Sequence, residues 1–285
     1  HSVWLSIPLV LITTLVLVVS LRGLRNTVQS SSVNREESLE YWSFPDWFNR
    51  LQLLAVTVII VQVVFLVGGL LVETGSPVNM YYAVEAATDD LVTSAIIGFV
   101  GALIGAGLGY VLSERLGKSG VWWVVISLPL ALPSAIVSIG LIDVYNSWIP
   151  WLYGTMAMPI IAVTTRFVAI ATIIIYTQSR RVDQLLFEVA ELLKREKNQD
   201  LWQVKLPLQK YGLAAAVAAL VAFNVGELGS TLLVVPPGRE TITIRIFNYL
   251  HYGGSEEVAG LCLLIVVLMM TLMGISFKAY GGKTE

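Results

Sequence analysis

The sequence predicts an all-α, polytopic membrane helical bundle of about seven transmembrane helices, and three observations carry that expectation. Hydrophobic residues make up 56% of the 285 and charged residues only 13%, against roughly 25% charge in soluble domains; mean hydropathy is +0.75. Seven apolar runs each reach the ~20 residues that cross ~30 Å of hydrocarbon at ~1.5 Å per helical residue. Lys and Arg gather in alternate connections between those runs, and their positions orient a membrane chain far more than its net charge of −2 does.

The first predicted span covers residues 3–21 within a leading segment, 1–22. No basic region or small-residue cleavage site accompanies it, so it reads as a span and not as a signal peptide. Residues 23–50 form a linker, rich in Ser, Asn and Glu over 27–41, that ends in interfacial aromatics such as Trp42 and Trp47. The remaining spans are expected at 51–72, 91–112, 121–144, 151–176, 212–235 and 258–277, within a single unit of residues 51–278. In the third span Gly101, Gly105 and Gly109 share one helical stripe, which lets another backbone approach closely. Pro129 and Pro133 in the fourth and Pro159 in the fifth remove backbone donors, so these helices either unwind around a cavity or simply kink. Cys262 is alone in an apolar run, which excludes an intrachain disulfide or a cysteine metal cluster.

Fifteen of the eighteen Lys and Arg residues fall in four segments: the connection between the first two spans, from Arg22 to Arg50, the connection with Arg115 and Lys118, the 179–211 loop and the C-terminal tail. The positive-inside rule places those segments in the cytoplasm, with the C-terminus inside and His1 outside. An outside start before an odd number of spans leads to the expectation that this is the later part of a longer or processed polypeptide. The 179–211 loop is the most charged stretch of the chain. Within it Val182, Leu185, Leu186, Val189, Ala190 and Leu193 recur at helical spacing. Asp200 is placed to cap a second short helix with Leu201, Val204 and Leu206 as its apolar contacts, and Pro207 closes the segment.

This loop resembles the cytoplasmic loop of type I ABC importer permeases, which reads Glu-Ala-Ala, three residues, Gly, nine residues, Ile, one residue, Leu-Pro. Here Glu188, Val189, Ala190, Lys194, Val204, Leu206 and Pro207 keep every spacing, with Val189 in place of an Ala and Lys194 in place of the Gly. The resemblance implies a core of six helices and a coupling helix over roughly residues 199–205, Gln199, Asp200, Leu201 and Trp202 included, seated in a cleft of an ATPase subunit. It further implies two such ATPases, which would bind ATP and Mg, an extracytoplasmic solute-binding protein, and a second permease half that is either an identical chain or a fused module. No cofactor is expected in this chain and no nucleic-acid partner; the lipid bilayer of the inner membrane is its surroundings. A second stretch, GELGSTLLVVPPGRETITIRIFNYLHYG at 226–253, together with LPLALPS at 128–134, looks like ferric-iron permeases and their thiamine and phosphonate relatives. Ferric iron is the solute that likeness suggests first, with thiamine, phosphonate or another small anion as alternatives.

Arg166 lies in the fifth span and Glu227 in the sixth, and charges at such depth usually face a bundle interior or an aqueous path. Their depths are close enough for a structural ion pair; the other option is that one or both line the translocation path, where Asn224 and Asp143 add polar contacts. The outer segment 236–257 is expected to be a loop, and its lone His251 is read as structural. The chain lacks a GxxxxGK[ST] phosphate loop, so ATP hydrolysis is assigned to another subunit. Two His and one Cys offer no catalytic constellation, which leaves an ATP-independent carrier or channel as the rival to the importer.

Overall fold

In the computed structural model, residues 45–182, 185, 186, 189, 201–252 and 255–281 are described. The expected span at 3–21, most of the linker, and Glu188, Ala190, Lys194, Gln199 and Asp200 lie outside them. Every regular element among the described residues is helical. Four helices are long and apolar enough to cross a membrane, or six when each of two bent pairs is one span, matching the six predicted spans that fall here.

α1 (Asp46–Thr74) starts inside the expected linker, with Asp46 at its positive end, and stops at Gly75, whose φ of 68° suits a residue without Cβ. α2 (Pro77–Ala86) is a short helix not foreseen from the sequence; Pro77 opens it and the Ser76 side chain accepts from the Asn79 N–H. α3 (Thr88–Leu116) carries Asp89 and Asp90 in its first turn and Arg115 in its last, each at the favourable end of its dipole.

The fourth predicted span is broken. α4 (Gly120–Ala131) and α5 (Ser134–Trp148) meet at 97°, because Pro133 has no N–H to continue the ladder and holds Leu132 extended. α6 (Ala157–Ser179) is continuous despite Pro159, which sits in its first turn where no donor is required. A wide π turn, Leu201–Lys205, and one helical turn, Leu206–Leu208, lead into α7 (Lys210–Val225) at an angle of 62°.

The sixth predicted span, taken as continuous to residue 235, also breaks. α7 stops at Val225, about 24 Å long, and the chain passes through residues 226–230 before the short α8 (Thr231–Val234). The outer segment read as a loop is instead helix α9 (Ile242–Tyr252), and α10 (Ser255–Gly281) completes the chain.

The core is the seam where α3 packs on α6 and α7. A Cβ on Gly101 would stand 2.9 Å from Val163 Cγ2 and 3.1 Å from Asn224 Nδ2, so only glycine admits this spacing. Thr164 Oγ1 donates to the Gly101 carbonyl at 3.3 Å and Asn224 Nδ2 to the Gly98 carbonyl at 3.0 Å. Where lipid surrounds the bundle there is little hydrophobic drive between helices, and such close packing with interhelical hydrogen bonds holds them.

Candidate functional site

Arg166 lies well inside α6, about 14 Å of rise from Ala157 and about 20 Å from Ser179. Its Nε stands 3.3 Å from Glu227 Oε2, with the two side chains 20% and 10% exposed. Glu227, expected from the sequence within the sixth span, is instead in the break between α7 and α8. That break is what lets its carboxylate turn toward α6. Its other oxygen, Oε1, accepts from the Ser230 N–H at 2.8 Å and the Ser230 hydroxyl at 3.0 Å. Its backbone carbonyl accepts from Thr231 Oγ1 at 2.7 Å and from Thr243 Oγ1 at 3.2 Å.

The two broken spans meet in this layer. Ser138 of α5 donates to the Ser230 carbonyl at 3.2 Å, and any Cβ on Gly229 would collide with the Ser134 hydroxyl at the start of α5. Irregular backbone at membrane depth persists only where protein or a watery cavity satisfies its polar groups, and here Ser138, Thr231 and Thr243 supply part of that. Arg166 is less well served: Nε and Nη1 are buried without a hydrogen-bond acceptor among the described residues. The contact with Glu227 is therefore ionic proximity rather than a directed fork, and a charge-bearing donor stands ready at the junction of the two breaks.

The ends of the bundle are polar too. At the end bearing the 179–211 loop, Arg181 donates to the Tyr280 carbonyl at 3.1 Å and stacks 4.1 Å over its ring, while the Tyr280 hydroxyl donates to Thr177 Oγ1 at 3.2 Å. A cleft of about 340 Å³ opens there between Glu114 and Lys118 near the end of α3, Ser179 and Arg180 at the end of α6, and Lys205 and Gln209. Trp202 projects from the π turn, 70% exposed, and Pro207 is exposed, whereas Leu201, Val204 and Leu206 are half-buried. At the opposite end Arg245 of α9 bonds Asp90 of α3 at 2.6 Å and the Tyr249 hydroxyl at 2.8 Å. Burial works against the Arg245 charge, but the hydrogen bonds and charge contacts with Asp90 and Tyr249 together outweigh it and hold the guanidinium pKa above its ordinary value.

The structure thus brings Arg166 and Glu227 together as their depths allowed. Asn224 sits in the seam, 3% exposed, bonded to α3, and Asp143 is exposed on α5. His251 is exposed with Nδ1 2.8 Å from the Phe247 carbonyl. Sequence reasoning missed Ser230 and Ser138, which brace the Glu227 turn, and the Asp90–Arg245 pair. The glycines at 226 and 229 flanking Glu227 were the available signal.

No protein-family model matches the chain. It is 30% identical over 196 residues to a Salmonella typhimurium protein named "Putative 2-aminoethylphosphonate transport system permease protein", an overlap covering 66% of this chain and 73% of the relative. It is 26% identical over 204 residues to the molybdate/tungstate transport system permease protein of Pyrococcus abyssi, covering 67% and 79%. A Haloferax volcanii protein named "Probable molybdenum ABC transporter permease protein" is 25% identical over 243 residues, covering 77% and 86%. None of these three names mentions iron. With an all-helical bundle of broken spans around a charged layer, and with relatives of this extent, the chain belongs to the permease subunits of ABC importers.

Proposed function

We propose that this permease carries a small tetrahedral oxyanion, of the phosphonate or molybdate kind, inward across the cell inner membrane, driven by ATP hydrolysed with Mg in two partner ATPase subunits. The observation that carries the reading is the charged layer where the α4–α5 and α7–α8 spans meet, with an arginine whose Nε and Nη1 are buried without an acceptor among the described residues. The relatives' names supply the solute class, and both named solute types present tetrahedral anionic oxygens. Ferric iron loses its place as first choice. Arg166 and Glu227 line the path, with Asn224 setting the spacing of the helices beside it.

The loop end faces the cytoplasm, and the segment through Glu188, Ala190, Lys194, Gln199, Asp200, Leu201, Trp202, Val204, Leu206 and Pro207 docks on the ATPase. Exposed Leu185, Leu186, Val189 and Trp202 offer it an apolar surface. A short helix set at 62° to α7 passes a rigid-body push into the span below. An extracytoplasmic binding protein delivers the solute at the α9 end, and a second permease half, identical or fused, completes the path.

The test is reconstitution of the native complex in proteoliposomes. Uptake of labelled molybdate or 2-aminoethylphosphonate that requires both ATP and the binding protein is the expected result. ATP-dependent uptake of ferric iron with neither oxyanion moved would refute the solute reading; a Trp202→Cys variant that never crosslinks to the ATPase would refute the docking surface.

A further inference from the structure

We infer that Glu227 is a resident stand-in for the solute: its carboxylate occupies Arg166 between transport events, and the passing oxyanion takes its place on the guanidinium. The inference rests on the oxyanion reading above, and it assigns the two members of the pair unequal roles.

Three observations carry it. The first is that Glu227 does not depend on Arg166. Oε1 is held by the Ser230 N–H and hydroxyl at 2.8 and 3.0 Å, from a serine that is itself fully buried. A carboxylate anchored through one oxygen keeps its place and its charge solvation when the arginine leaves the other. The second is that Arg166 is held loosely. One ionic approach at 3.3 Å is its contact with the carboxylate, and Nε and Nη1 remain buried without an acceptor among the described residues. A guanidinium binds phosphate-like groups through two parallel N–H bonds. Glu227 leaves that capacity unspent, so a tetrahedral oxyanion offers more than the resident carboxylate does.

The third observation is location. Glu227 lies on the break between α7 and α8, and that break packs on the start of α5, Gly229 against Ser134 and the Ser230 carbonyl on Ser138. A structural ion pair would serve equally well on two continuous helices. Here the acid is mounted on a stretch between two helices while the base is mounted on an unbroken helix, α6. The exchange is noncovalent: the carboxylate yields the guanidinium as the oxyanion arrives but stays on Ser230, and the layer becomes more negative by the solute's charge only during passage.

The experiment uses the full complex with its ATPase and binding protein in proteoliposomes. Uptake of labelled molybdate and of labelled 2-aminoethylphosphonate is measured together with ATP hydrolysis, so that solute moved per ATP is the readout. In Arg166→Lys the charge and the partnership with Glu227 survive but the fork does not. Assembly and stimulated ATP hydrolysis are expected to persist while uptake per ATP falls about tenfold, the worth of one charge-assisted hydrogen bond. The double variant Arg166→Gln with Glu227→Gln removes both charges; it is expected to assemble and hydrolyse ATP yet move little of either oxyanion. Normal uptake per ATP in Arg166→Lys, or in the double variant, would overturn the inference by showing the pair to be a packing element. A wild-type complex that hydrolyses ATP on meeting its binding protein yet moves neither oxyanion would overturn the solute reading, and this inference with it.

Discussion

α1 and α3 are each 29 residues long and each apolar enough to span a bilayer, yet they keep very different company. α1 buries only Thr74, while α3 buries eleven residues, all but Ile97 and Leu116 of them Gly, Ala, Ser or Thr. Hydropathy is the same instruction in both helices: enter the membrane. Small residues are a second instruction, superimposed on the first in α3 alone, and they decide which helix becomes the framework. In α1, Gly68 and Gly69 meet nothing within 4 Å, so glycine by itself is not that instruction. It has to fall on a face that another helix can reach.

The contrast breaks hardest where the framework carries charge. Glu227→Ala leaves Arg166 buried and uncompensated, and the detergent-solubilised protein is expected to lose about 3–5 kcal/mol, read as a large drop in thermal midpoint. Gly109→Leu comes next. A Cβ there stands 2.9 Å from Ala171 Cβ and 3.0 Å from the Thr172 nitrogen, which is backbone and cannot yield; the expected cost is about 1–3 kcal/mol, seen as a shift toward aggregate on size exclusion. Asn224→Leu gives up the bond to the Gly98 carbonyl for about 1 kcal/mol, measurable by steric trapping in bicelles. Gly68→Leu on α1 sharpens the comparison from the other side: its midpoint should stay within about 0.5 kcal/mol of the parent, and a loss like that of Gly109→Leu would mean that α1 packs as tightly as α3.

The spans were legible because crossing a bilayer makes a demand that composition alone can meet. Their interruptions were less so. Pro133 announced one break, since a missing N–H is written in the residue itself. The stop at Val225 carries only the weaker mark of Gly226 and Gly229, which admit Met269 and Ser134 there while Ser230 turns back onto Glu227. Those partners lie far away in sequence. α9 was hidden by four residues of Thr-Ile alternation that imitate a strand, yet Ile242, Ile246 and Tyr249 at helical spacing all pack against the same buried cluster. The Arg166–Glu227 pair could be suspected from depth, but the unequal support of its two members could not, because it depends on which oxygen Ser230 holds.

The bonds from Thr164 to Gly101 and from Asn224 to Gly98 tie α6 and α7 to α3 at backbone level. Parts riveted that way travel as one mechanical block, so motion during the transport cycle is left to the pieces beyond the two breaks. Spin labels at Leu103 on α3 and Tyr211 on α7 would then report one interval throughout turnover, while a label at Ile139 on α5 would register each stroke as a change in distance from that block.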